Sequence, residues 1–163
     1  MDVLWAPWRM AYIGGPRATG CIFCAALAAD RRDALVLGTS AASLVMLNRY
    51  PYQSGHLMVA PRRHTADLSA LPGDEHADLA ETLRQALASV GEALRPEGVN
   101  VGMNLGTCAG AGVVHHLHWH IVPRWNGDTN FMTVLADVRV MPQHLLDTYD
   151  RLRPAFAWLD RGV

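Results

Sequence analysis

The chain has no apolar run near the ~20 residues that a membrane span requires. Met1 to Met10 contains two Trp and an Arg but no apolar stretch of the kind that makes a signal peptide. Cysteine is scarce: Cys21, Cys24 and Cys108 are too few, and odd in number, for a disulfide framework. These absences lead us to expect a cytoplasmic protein with no membrane partner. Charge of one sign is also lacking. Fourteen basic and fifteen acidic residues leave a net charge of -1, which builds no field to collect a nucleic-acid polymer. Small anions bound by local amides stay within reach. No internal repeat, low-complexity tract or Gly/Pro/Ser-rich linker divides the chain. Its 163 residues, half of them hydrophobic, suit one domain with a real core over 1–163. Residues 1–20 read as an irregular, Trp-rich segment that must lie on the domain surface or on a second subunit.

What is there alternates between strand and helix signals. Cys21 to Arg31 is Ala-rich and suits a short helix. Ala34–Leu37 and Ser43–Leu47 read as strands separated by a Gly38-Thr39-Ser40 turn, and His56–Ala60 as a third, ended by Pro61. The clearest helix spans Asp74 to Leu94, with Leu79, Leu83, Leu87, Val90 and Leu94 on one face. Asp74 and Glu75 suit its positive end, and Pro96 and Gly98 stop it. Val99–Leu105 and Leu117–Val122 read as two more strands. A last helix is expected from Pro142, burying Leu145, Leu146, Tyr149 and Leu152, with Pro154 kinking or ending it. The early strand connections are too short for crossover helices. The expected fold is therefore α+β, with a five-stranded, mainly antiparallel sheet.

Within the last strand stands His116-Leu117-His118-Trp119-His120. Residues two apart share a face of a strand, so three imidazoles line one side, about 6.5–7 Å apart along the backbone. Leu117, Trp119 and Ile121 pack into the other side. One histidine on a strand is an ordinary core or surface residue; three in alternation suggest joint work on one phosphate group, or a bound metal. Imidazole is largely neutral at pH 7, so a ring nitrogen is free to attack phosphorus and form a phosphoramidate. That assignment makes His118 the nucleophile. Its other nitrogen must keep a proton and find an acceptor such as a main-chain carbonyl, while a flanking histidine serves the leaving oxygen. Just upstream, Gly106-Thr107-Cys108-Ala109-Gly110-Ala111-Gly112 exposes backbone amides suited to an anion. Cys21-Ile22-Phe23-Cys24, taken alone, reads equally as a redox pair, a metal-binding pair or two small buried hydrophobes.

His116-Leu117-His118-Trp119-His120-Ile121-Val122 resembles the signature of the histidine triad (HIT) superfamily. Asn48–Pro61 (NRYPYQSGHLMVAP) resembles that family's nucleoside-binding strand-loop-strand. Asn104-Leu105-Gly106 with the Gly-rich loop resembles the segment before the triad. Pro123–Met132 (PRWNGDTNFM) is similar to a branch that includes bacterial diadenosine tetraphosphate phosphorylases and related hydrolases. The resemblance implies a five-stranded antiparallel sheet with two main helices, in a homodimer whose sheets join across the two-fold axis. It implies cleavage of a dinucleoside polyphosphate, diadenosine tetraphosphate foremost, through a nucleotidyl-His118 intermediate, with water or phosphate as acceptor. His120 would contact the phosphate and leaving group. Asn104, Gly112 and Val113 would bind phosphate, Asn48 would face the ribose, and apolar groups near Leu47 would pack on the base. It further implies a structural Zn²⁺ held by Cys21, Cys24, His64 and His116, with His115 pointing away. One departure stands out. Many members carry Gln four residues before the first triad histidine, where this chain has Gly112, so the second acceptor stays open.

The rival readings are a nucleotide-binding protein without turnover, a nucleoside phosphoramidate hydrolase, and a catalytic zinc held by the three triad histidines. Elsewhere, His56 is expected to serve core or dimer packing, with contact to the ligand loop as the alternative, His76 and His144 to be solvated on helices, and Cys108 to be a silent small residue. Trp119 is expected in the core. Trp125 is expected either to stack on a base or to pack on the N-terminal segment.

Overall fold

The computed structural model describes residues 20–128 and 144–160. Among the described residues three α-helices, α1 (Ile22–Ala28), α2 (Gly73–Leu94) and α3 (Leu145–Leu152), accompany five strands. The strands are β1 (Val36–Thr39), β2 (Ser43–Leu47), β3 (Leu57–Pro61), β4 (Gly98–Met103) and β5 (Trp119–Arg124). They form one sheet in the order β1-β2-β3-β5-β4, and every pairing is antiparallel. No described helix is long and apolar enough to cross a membrane.

Burial explains the sequence patterns. Every residue of β2 and β3 is buried, so these strands read as continuous apolar runs, as strands covered on both faces do. On one face, α2, α3 and a C-terminal 3-10 segment (Arg153–Asp160) close a core around Leu37, Val45, Leu57, Leu79, Val90 and Phe156. On the other, Phe23 and Ala26 of α1 pack on Val36, Leu44, Met46 and Met58. Removing a side chain such as Leu79 or Phe156 from the first core costs about 2–5 kcal/mol. The small residues Thr82, Ala86 and Ser89 of α2 are its most buried positions beside Leu79, Val90 and Leu94, while Leu83 and Leu87 flank them half-buried. The helix ends where Arg95 turns left-handed (φ 49°) and donates its N–H to Gly91 O, just before Pro96.

Several boundaries depart from the sequence reading by one to three residues, as where the fourth strand ends at Met103 rather than Leu105 and α1 ends at Ala28, and three departures have a visible cause. Gly38 and Thr39 lie within β1, not in a turn. Gly38 is there for packing: a Cβ on it would fall 2.6 Å from Leu159 Cβ. The last sheet strand begins at Trp119, two residues late. Its ladder with β3 runs only from Leu57↔Ile121 to Val59↔Trp119. Beyond it the Pro61 carbonyl is taken by the His116 ring (2.8 Å), and Leu117 N–H donates to Thr65 O (2.8 Å). The third difference is at the C-terminal helix, which starts at Leu145 behind the N-cap His144; Pro142 lies outside the described residues. It ends at Leu152, and Pro154 falls in the 3-10 segment, as a residue without an N–H requires.

Candidate active site

Alternation survives the shorter strand. Leu117, Trp119 and Ile121 pack on the α2 face, and His116, His118 and His120 take the opposite one. The rings do not form a uniform row. His116 turns toward α1 and the end of β3, whereas the His118 and His120 rings meet edge-on with centroids 4.8 Å apart. Phe23, fully buried, sits 4.9 Å from both His116 and His118 and holds them apart from solvent.

Hydrogen bonds fix the roles of the nitrogens. His118 Nδ1–H donates to the His116 carbonyl (2.9 Å), which leaves Nε2 with the lone pair. In the loop just before β3, the Tyr52 backbone N–H donates to His56 Nδ1 (3.0 Å). His56 must then carry its proton on Nε2 and donate it to His120 Nδ1 (3.0 Å). Neutral His120 is thereby left with its proton on Nε2. Burial lowers all of these imidazoles: His118 falls below its ordinary value, His120 is pushed down to about 4 by burial and the adjacent His118, and His56 to about 3 by burial and its two histidine neighbours. At neutral pH the group is therefore uncharged. It offers one nucleophilic nitrogen and one N–H donor side by side.

His118 and His120 line a cavity of about 440 Å³ whose remaining wall is largely apolar, with Ala26, Met46, Met58 and Tyr50 in it. Gly112 and Val113 of the small-residue loop reach the same wall, and so does Asn48. The Asn48 side-chain oxygen already accepts the Tyr50 N–H (2.9 Å), which leaves its Nδ2 as the available donor. Two expected groups are placed more closely by the structure. Leu47 is fully buried on the α2 face, and because alternate residues point oppositely it is Met46, with Met58 across the ladder, that faces the cavity. Asn104 does not line this cavity; it lies beyond His120 in a second one, 4.0 Å from where a Gly110 Cβ would be. His56, expected to pack or to touch the ligand loop, accepts a bond from that loop and is also bonded to His120. Nothing local in the sequence marks it, since the bond joins the residue before β3 to β5 across 64 residues. Trp119 is half-buried against the α2-face core, as is Trp125. Cys108, His76, His115 and His144 are exposed.

The other end of the row is a donor cluster. The ligand atoms of Cys21, Cys24, His64 and His116 lie within 4.8 Å of one another. His116 Nδ1 is 3.1 Å from Cys21 Sγ, 3.7 Å from Cys24 Sγ and 3.3 Å from His64 Nδ1, and Cys24 Sγ is 3.4 Å from His64 Nδ1. A zinc tetrahedron with ordinary Zn–S and Zn–N bonds has edges of about 3.3 Å between nitrogens and about 3.6 Å between nitrogen and sulfur. The donor set fits. The proton that His116 Nε2 gives to Pro61 O leaves Nδ1 free to ligate, the outer-shell bond usual for metal-bound histidine. His118 and His120 lie outside the cluster.

The HIT domain pattern matches residues 30–127. Over 154 residues the chain is 38% identical to the AP-4-A phosphorylase of Mycobacterium tuberculosis, covering 89% of this chain and 79% of that one. It is 33% identical to the adenosine 5'-monophosphoramidase of Schizosaccharomyces pombe over 65% of this chain and 75% of that one. Among solved structures, a zinc-bound histidine triad family protein from Mycobacterium smegmatis superposes with a TM-score of 0.67 at 28% identity, over 88% of this chain and 98% of that one. With this match over most of its length, and with two histidines of the triad on a nucleotide-sized cavity, the chain belongs to the HIT family.

Proposed function

We propose that this protein cleaves a phosphoanhydride of a dinucleoside polyphosphate, with diadenosine tetraphosphate as the foremost substrate, through a nucleotide covalently held on His118. The observation that carries the reading is the bond from His118 Nδ1–H to the His116 carbonyl, which presents Nε2 as a neutral nucleophile on the wall of the apolar cavity. In the first step the Nε2 lone pair forms an N–P bond to the α-phosphorus. The P–O bond to the leaving polyphosphate breaks, and its electron pair stays on the leaving oxygen. The Nε2–H of His120 hydrogen-bonds that oxygen, and the Gly112–Val113 segment lines the cavity beside the phosphoryl oxygens. Asn48 and the Met46–Met58 wall receive ribose and base.

Inorganic phosphate is the acceptor in the second step. Two things support this: the phosphorylase name of the 38% identical relative, and Gly112, which puts no side chain at the position where many members keep a water-positioning glutamine. In that step a phosphate oxygen attacks phosphorus, the N–P bond breaks, and ADP leaves His118 neutral. Zinc held by Cys21, Cys24, His64 and His116 ties α1 and the end of β3 to the catalytic segment, a structural role. The zinc-bound relative supports it. A homodimer joined along the β4 edge suits that strand's outer position and the exposure of Val101 (41%) and Leu105 (47%). A second reading, hydrolysis of a nucleoside phosphoramidate, shares the first step and draws support from the 33% identical monophosphoramidase.

Product analysis on diadenosine tetraphosphate with and without phosphate tests the reading. ADP plus ATP, formed only with phosphate, is the expected result. AMP plus ATP at a rate independent of phosphate would make water the acceptor, and no cleavage under either condition would reject the assignment.

A further inference from the structure

Beyond the first cavity, the same sheet face carries a second, of about 410 Å³. Tyr52 and His120 line both cavities and so form the boundary between them; His118 lines only the first. The second is built on β4 and β5 and its wall is mixed, with Gln53, Asn100, Asn104, Arg124 and Asp128 beside the apolar Val101 and Val122. Its floor contains Gly102, the cross-strand partner of His120. Glycine weakens a strand interior, and where it occurs it often marks a close approach by a ligand or another backbone. The fold does not ask for glycine at 102. Its φ lies outside the left-handed region, and a Cβ there would meet nothing within 4 Å. The missing side chain is room in the second cavity, directly across the ladder from His120.

The charge of the cavity indicates what fits. Arg124 is held by Asp128 through two bonds (2.6 and 2.9 Å) and donates to Asn100 Oδ1 (3.0 Å). Its charge is thus balanced in place, and the wall presents amides and a neutralised ion pair. Such a wall hydrogen-bonds an uncharged polar group better than it captures a terminal phosphate. In-line displacement sends the leaving group away from the nucleophile, and His120, packed against His118, also lines the second cavity.

We infer that the second cavity is a binding site for the leaving half of the substrate: the polyphosphate crosses at His120 and Asn104, and the far nucleoside, an uncharged ribose and base, sits over Gly102 against Asn100 and Gln53. This rests on the nucleotidyl-transfer reading above, and it adds a reason for that enzyme to require two nucleosides.

The test compares diadenosine tetraphosphate with adenosine 5'-tetraphosphate, which carries the same phosphate chain without the far nucleoside. The wild-type chain should favour the dinucleotide in kcat/KM by about tenfold or more, as lost contacts to a built polar site usually show. Gly102→Val, whose Cβ would meet nothing within 4 Å, should bring that ratio close to one, and Asn100→Ala should lower it in part. Thermal melts of both variants report folding. Equal rates on the two substrates in the wild type, or a parallel fall on both in a folded Gly102→Val protein, would overturn the site while leaving the nucleotidyl-transfer reading intact. A wild-type chain that cleaves neither substrate would overturn both.

Discussion

His116 and His120 lie four residues apart and face the same side of one segment, yet their surroundings differ completely. His116 meets two thiols and a second imidazole, with its outer nitrogen tied to Pro61 O. His120 meets His56, His118 and two cavities. The same ring is placed among possible metal ligands at one end and as a hydrogen-bond donor at the other, because neighbouring chain segments decide which nitrogen keeps its proton. His118 stands between, held through the backbone of the metal end while serving the cavity end.

If the two ends are separate in function, variants at each should fail in different ways. The largest expected effect is His118→Asn. The asparagine amide still reaches the His116 carbonyl but has no nucleophile to offer. Turnover should fall by roughly three orders of magnitude or more, while stability in urea titrations changes by no more than about 1 kcal/mol and bound zinc is retained. Loss of zinc in this variant would break the separation. Next in size is Cys21→Ser. Bound zinc measured by mass spectrometry should fall and stability drop by roughly 2 kcal/mol or more, as when a structural metal is lost. A fully stable Cys21→Ser protein would remove the metal end from the account.

A smaller effect belongs to the buried pair at the cavity end. His56 at about 3 and His120 at about 4 refuse protons that the unfolded chain accepts near its ordinary value of about 6.5. Their contribution to stability is complete above pH 6.5 and is lost as pH falls through 4 and then 3. His56→Gln should flatten the dependence of the urea midpoint on pH between about 6.5 and 4 relative to wild type; an unchanged slope would contradict the burial of that ring. Smallest of all is exposed His76 on α2, where His76→Ala should shift stability by less than about 0.5 kcal/mol and leave kcat/KM unchanged.

Much of this was legible in the residues, for identifiable reasons. The alternation of His116, His118 and His120 with Leu117, Trp119 and Ile121 depends only on strand geometry, and it places each set on its face even where the ladder has not yet begun. The long helix α2 came from its period. What the sequence could not display were consequences of tertiary contact. Gly38 read as a turn because its packing partner, Leu159, is 121 residues away. The start of β5 was misplaced because the His116 side chain takes the carbonyl of Pro61. His56 passed for packing because its partner is on another strand. The second cavity depended on a side chain that is missing, at Gly102, which no motif announces.

The most direct measurement is the site of covalent attachment. Protein caught during turnover of diadenosine tetraphosphate by an alkaline quench, digested and mapped by mass spectrometry, should carry one adenylyl group, lost in acid, on His118. An adenylyl group on any other residue, or none on a protein that is turning over substrate, would contradict the account.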